Sequence, residues 1–178
     1  MLKIIGDLRS LLLALWLGAA CFFSFVMAPS AFSVLGSPDL AGSLVSRTLM
    51  ILQISGIVIG AFLLLTSFLP SRSANNFLVW IERVLLLLLT VGCVIGQFVI
   101  AFWMNQIKGN LGRPIEQVAL DDPMRMQFDQ LHVWSVNVLV GAMIAAALSY
   151  FLLAYRSRNT DLKEIKTTTN KDFTDFKI

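Results

Sequence analysis

The sequence predicts an all-α integral membrane protein, an antiparallel four-transmembrane-helix bundle, and three observations carry that prediction. Of the 178 residues, 57% are apolar and only 14% charged, a balance that ordinary soluble domains do not have. The apolar residues gather in four runs, at about 9–29, 48–69, 80–105 and 123–156, each long enough to cross a hydrocarbon layer of about 30 Å. Backbone groups in lipid must be paired within their own segment, so these runs are helices. The alternating pattern of barrel strands is absent. The cations are also sorted. With four crossings, ten of the fourteen (Lys3, Arg9, Arg72, Arg83, Arg156, Arg158, Lys163, Lys166, Lys171 and Lys177) share the side of both termini, leaving Arg47, Lys108, Arg113 and Arg125 opposite. The positive-inside rule then puts both termini in the cytoplasm. Orientation and anionic lipid account for the basic residues without a nucleic-acid partner.

The first run begins like a signal peptide, with Lys3 and Arg9 ahead of apolar residues and then Gly18, Ala19 and Ala20. Its apolar stretch is long for a signal, so the expectation is a retained first helix. Ala20, Ser24 and Ala28 form a small-residue stripe on it, and Phe32 to Leu40 read as interfacial, with Gly36, Ser37 and Pro38 turning the chain. The second run carries Gln53, Gly56 and Gly60 and stops at Pro70. A polar link follows, and Trp80 with the Glu82–Arg83 pair is placed at the inner headgroup boundary. The third run carries Gly92, Gly96 and Gln97. Small residues four apart recur in the fourth run as Gly141, Ala145 and Ser149. Such stripes let helix backbones approach, and dispersion replaces the hydrophobic drive that lipid removes.

Between the third and fourth runs, Pro114 to Leu120 reads as a short helix lying on the outer surface. Asp122 and Pro123 then mark a helix start, a side-chain cap followed by a residue whose missing N–H costs nothing there. From Met124 the helical pattern holds to about Arg156, roughly 50 Å at 1.5 Å per residue, so its first turns overhang the bilayer. Residues 1–156 form one transmembrane domain on this reading. Residues 157–178 form a polar, mobile cytoplasmic tail.

The candidate site residues lie at that overhang and at membrane depth. Arg125, Asp129, His132 and Ser135 fall four, three and three apart, so they share a helix face. Asp129 is in reach of both a guanidinium and an imidazole, and this trio is expected to face the bundle or its covering loop. His132 is the single histidine. It serves either as a pin between the fourth helix and the loop or as a ligand or proton relay. Haem held by two histidines is therefore excluded. Met104, Met124 and Met126 lie near the same depth as His132, which makes them candidate metal ligands for a Cu(I) site. Methionine as gap filler is the plainer reading, and no cofactor is expected. Gln53, Gln97 and Asn137 are polar groups inside the apolar runs, fitted either for inter-helix hydrogen bonds or for lining a polar path. Cys21 and Cys93 sit in mid-span, as buried thiols. There is no phosphate loop, nucleophile elbow, HExxH or CxxC, so no catalytic residues are assigned.

The stretch Phe128-Asp129-Gln130-Leu131-His132-Val133-Trp134-Ser135-Val136-Asn137, with Leu15-Trp16-Leu17-Gly18 and Ala28-Pro29 in the first helix, resembles a family of bacterial four-helix membrane proteins related to eukaryotic transmembrane protein 205. The spacing from Ser135 to Asn137 is shorter than in the family's pattern. The resemblance implies a bacterial inner-membrane location and the four-helix fold, and it draws interest to His132, but it implies no reaction. The leading function is a non-catalytic accessory subunit or scaffold in a larger membrane complex, or a homo-oligomer. The alternatives are a metal- or cofactor-handling protein using His132 and the outer methionines, and a small-solute transporter.

Overall fold

A computed structural model describes residues 2–68, 76–112, 115–119 and 121–175. The elements in chain order are α1 (Leu2–Phe22), a π-helical turn (Phe23–Met27), α2 (Ala28–Val34), α3 (Pro38–Ser67), α4 (Asn76–Val94), a second π-helical segment (Ile95–Ile100), α5 (Ala101–Leu111), a 3-10 turn (Ile115–Gln117) and α6 (Pro123–Asp175). They make four stretches long and apolar enough to cross a membrane, Ile5–Val34, Pro38–Ser67, Asn76–Leu111 and Pro123–Arg156. No strand occurs among the described residues. The spans pack as a closed ring, first against second, second against third, third against fourth, fourth against first. The protein is an all-α, multi-pass membrane protein.

Its surface identifies the solvent. Leu11, Leu15, Phe25, Val58, Leu65, Phe98, Val133 and Phe151, among many others, are exposed, whereas Gln53, Ser67, Glu82, Ser135 and Ser149 are buried. A water-soluble bundle has the opposite arrangement. Apolar side chains pointing out and polar ones pointing in belong to a chain dissolved in lipid.

Helix contacts follow the small residues. A Cβ on Gly56 would lie 2.7 Å from both Cys93 Sγ and Trp16 Nε1, one on Gly60 would strike Thr90, and one on Gly96 would strike the Gln53 amide. These pairings, 60 with 90 and 53 with 96, fix the second and third spans as antiparallel neighbours. A Cβ on Gly92 would lie 3.6 Å from the Ala142 Cβ of the fourth span. Trp16 fills the space that Gly56 leaves and donates from Nε1 to the Leu52 carbonyl at 3.0 Å. A buried indole thus keeps its polar tip satisfied. The core around it is Leu13, Ala20, Phe23, Leu63, Leu86, Leu89, Ala145 and Ala146.

The first π-helical turn has a local cause. Pro29 has no N–H to give, and its ring would collide with the carbonyl four residues back in a regular helix. The widened turn before it, closed by the Ala28 N–H to the Phe23 carbonyl, absorbs the conflict. Helix therefore continues to Val34, beyond the limit near residue 29 that hydropathy indicates, and only Leu35–Ser37 break it. The expected surface helix after Pro114 is shorter than its sequence suggests, a single 3-10 turn with Val118 buried. Pro114 and Leu120 lie outside the described residues. The last helix does not end near Arg156 but runs to Asp175. No Gly or Pro interrupts 157–175, so nothing in that stretch forces a stop. The cap at its start is as expected, with the Met124 N–H donating to Asp122 Oδ1 at 2.8 Å.

Gly56 supplies the test of the packing. Gly56→Ala should lower the unfolding midpoint in detergent, by about 1–3 kcal/mol of overpacking. Gly18→Ala, where a Cβ meets nothing within 4 Å, should hold or raise it. Equal effects at the two sites would show that the Trp16–Gly56–Cys93 contact does not set the helix spacing.

Candidate functional site

The most polar place inside the bundle is at the end that carries both termini, and Glu82 is its centre. Glu82 lies on α4 two turns from the helix start and is 0% exposed. A carboxylate cannot lie bare in such a place, because neither water nor lipid headgroup reaches it. It is met from two sides. Arg9 of the first span donates from Nη2 to Oε1, and Arg156 of the fourth span donates from Nη1 to Oε2. The same Arg9 nitrogen reaches the Leu63 carbonyl of the second span at 3.4 Å. One carboxylate therefore joins all four spans. The two guanidiniums are themselves almost enclosed, with side-chain exposures of 11% and 12%.

Arg83, the next residue, goes elsewhere. Adjacent helical residues point about 100° apart, so Glu82 and Arg83 do not face each other. Arg83 turns to the end of α3, donating from Nε to Ser67 Oγ at 3.0 Å and from Nη2 to the Ser67 carbonyl at 2.8 Å. Its guanidinium lies 4.5 Å over the Phe68 ring. A cation on the last carbonyls of a helix also suits the negative end of the helix dipole. The placement of Glu82 and Arg83 as a headgroup-level pair is thus corrected. Glu82 is the buried centre, and Arg83 is a cap on the neighbouring helix.

At the opposite end the expected trio is not assembled. Asp129 and His132 are both exposed, and among the described residues Asp129 pairs with neither Arg125 nor His132. Arg125 instead donates from Nη1 to the Val118 carbonyl at 2.5 Å and to the Ile115 carbonyl at 3.3 Å. The reason is directional. A helical side chain leans toward the N-terminus, so Arg125 leans away from Asp129 and toward the 3-10 turn, which offers carbonyls. Lys108 adds a second tie, with its ammonium 5.4 Å from the Phe128 ring centre. The loop is pinned by Arg125 and Lys108 and not by His132.

The remaining candidates divide. Gln53 is buried against Gly96, and Gln97 is half-buried on the widened segment of the third span. Ser135 is buried, whereas Asn137 is exposed. Gly56, Gly60, Gly92, Gly96 and Ala145 all lie at helix contacts. Gly141 does not, since it is exposed and a Cβ there would meet nothing within 4 Å. Met124 and Met126 are exposed and Met104 is half-buried. Among the described residues, no three His, Cys, Asp or Glu side chains gather as a metal site would require.

The residues of the ionic centre leave a trace in the sequence. Phe77 to Ile81 are apolar for more than a turn before Glu82, and Leu2, Ile4, Ile5 and Leu8 precede Arg9. Glu82 thus sits inside apolar helix, whereas Arg9 and Arg156 stand where the apolar runs of the first and fourth spans end, on the same side. Two bases and one acid on three different helices, all at one end, is the pattern that points to mutual pairing.

Residues 11–112 match the model of a family described as Domain of unknown function (DUF4149). The match takes in Leu15–Gly18, Ala28-Pro29 and Glu82 but stops short of His132 and Arg156. No curated protein and no solved structure matches the chain.

Removing the carboxylate tests the ionic centre. Glu82→Gln removes the carboxylate that two enclosed guanidiniums share and should cost about 3–5 kcal/mol of stability in detergent. Adding Arg9→Gln to it should restore part of that loss. A Glu82→Gln protein as stable as its parent would show that the centre does not hold the spans together.

Proposed function

The chain belongs to the DUF4149 family, a domain of unknown function, and we propose that it serves as a non-catalytic accessory subunit or scaffold in a larger membrane complex. The observation that supports this most is the outer face of α6. Asn137 and Gly141 are four residues apart and so lie on one face, both exposed, with Trp134 exposed beside them. Asn137 stands within the apolar run that begins at Val133. An amide facing hydrocarbon is costly, whereas a hydrogen bond to a neighbouring helix stabilises by about 0.6–2 kcal/mol. Gly141 presents no side chain, so another helix backbone can come close there. Several inward polar groups are meanwhile used for internal contacts, Trp16 on Leu52, Arg83 on Ser67, and Arg9 with Arg156 on Glu82, whereas the buried Ser149 hydroxyl has no partner among the described residues. On this reading the fold is a self-sufficient bundle that offers one helix face to another subunit.

Our reading of location is the bacterial inner membrane with both termini in the cytoplasm, supported by the ten-to-four division of Lys and Arg. Kinship to transmembrane protein 205 belongs to the same reading. It rests on residues 128–137, beyond the matched segment, and on Leu15–Gly18 and Ala28-Pro29 within it.

Two measurements test the orientation and the subunit role. In spheroplasts, Asn110→Cys should be labelled by an impermeant maleimide from outside, and labelling only after lysis would reverse the orientation. Purified in mild detergent from its own membranes, the protein should bring a membrane partner with it, and Gly141→Leu should release that partner while leaving the bundle folded. A protein that arrives alone, or a partner retained by Gly141→Leu, would count against the subunit role at this face.

A further inference from the structure

Midway through the bundle most polar side chains have found a partner. Trp16 Nε1 and Ser55 Oγ both donate to the Leu52 carbonyl, at 3.0 and 2.8 Å, and Thr90 Oγ1 donates to the Leu86 carbonyl at 2.8 Å. Gln53, the neighbour of Leu52, differs. It is 2% exposed, yet its amide makes no hydrogen bond to any described residue. Nor is that amide sealed as the Ser149 hydroxyl is, so a small molecule can stand against it. A buried amide left unpaired is costly, and folded proteins meet such groups with an ordered water or a ligand.

A second unspent group stands at the same level. The Gln53 amide lies against Gly96, in the π-helical segment, which touches both α3 and α6. One turn earlier, a Cβ on Gly92 would lie within 3.8 Å of Val138 and Ala142. The antiparallel register therefore brings Ser135 to the level of Gly96. Ser135 is 8% exposed, and its hydroxyl also makes no hydrogen bond to a described residue. The segment between them is the widened turn closed by the Ala101 N–H on the Gly96 carbonyl, and such turns frequently mark functional sites.

We propose that Gln53 and Ser135 together bind a small neutral molecule that both donates and accepts hydrogen bonds, water or a short polyol or amide solute. The amide offers two N–H donors and a carbonyl acceptor, and the hydroxyl offers one of each. Among the described residues the buried acid is Glu82, which is held by Arg9 and Arg156 at the termini end. An ion beside Gln53 would thus lack a counter-charge, which favours a neutral occupant. An internal water with two or more polar partners is the simplest occupant of this kind. The site lies inside the bundle and stands whether or not the α6 face carries a subunit.

The test uses the full chain, isotope-labelled on its glutamine side-chain nitrogens, in deuterated detergent, and reads the Gln53 Nε2 protons by NMR. Gln53→Leu assigns their signal by its loss, and Gln53→Met serves if the leucine variant does not fold. Buried as they are, these protons should show a dipolar cross-peak to water, distinguished by its sign from chemical exchange. With water as the occupant, glycerol and acetamide leave that cross-peak in place. With a solute as the occupant, one of the two removes it and shifts the signal saturably, and either result upholds the site. Ser135→Ala takes away one partner and should weaken the cross-peak, or the solute affinity, about three- to tenfold. Nε2 protons that contact neither water nor solute, or a cross-peak at full strength in the folded Ser135→Ala protein, would overturn the proposal.

Discussion

A carboxylate placed where no solvent reaches must be given its counter-charges by the protein, and the bundle is arranged around that requirement at Glu82. Its two oxygens are taken by guanidiniums from the first and fourth spans, and one of those guanidiniums also rests on a carbonyl of the second. Apolar residues in these places would be about as stabilising, since desolvating charges costs much of what their attraction returns. What the ions add is selectivity. Sliding any of three helices by one turn, about 5.4 Å, would strand a charge in lipid, so only one register is tolerated.

Above that level the helices are held by fit, and here the glycines matter because of what occupies their missing side chains. Trp16 and Cys93 use the space at Gly56, Thr90 that at Gly60, and the Gln53 amide that at Gly96. Large and small residues alternate across the second and third spans, which lets the backbones close in and multiplies weak dispersion contacts. The arrangement also explains why Gln53 can be buried at all. It lies against another helix and not against lipid.

How much of this was legible varies with the kind of signal. The four spans, their antiparallel order and the cap at Asp122 follow from hydropathy, charge sorting and local helix chemistry, and each is decided by residues near in sequence. The direction in which a side chain points at a helix end is not. Asp129 and His132 share a helix face with Arg125, yet the acceptors that hold Arg125 belong to a loop whose path no periodicity encodes. Glu82 was hidden for a related reason. Beside Arg83 in sequence it looks like half of a surface pair, and its partners are 73 and 74 residues away. Gly141 shows the converse, since its spacing resembles that of Gly92 while the helix rotation turns it outward.

The two ends of the molecule are consequently unlike. At the termini end, charge pairs tie every span to one carboxylate. Toward the other end the polar ties between elements, among the described residues, are the loop contacts of Arg125 and Lys108, with a hydroxyl 3.9 Å from a thioether, between Ser24 and Met143, nearer the middle. The interruptions also fall there, in the widened turns at Phe23–Met27 and Ile95–Ile100 and the break at Leu35–Ser37. Weak ties and wider turns together make the cheaper place to deform, because few contacts need to be broken when the helices splay. The exposed Asn137 lies toward this looser end, so a helix that docks there meets the part of the bundle best able to adjust to it. Glu82 meanwhile keeps the opposite end in register.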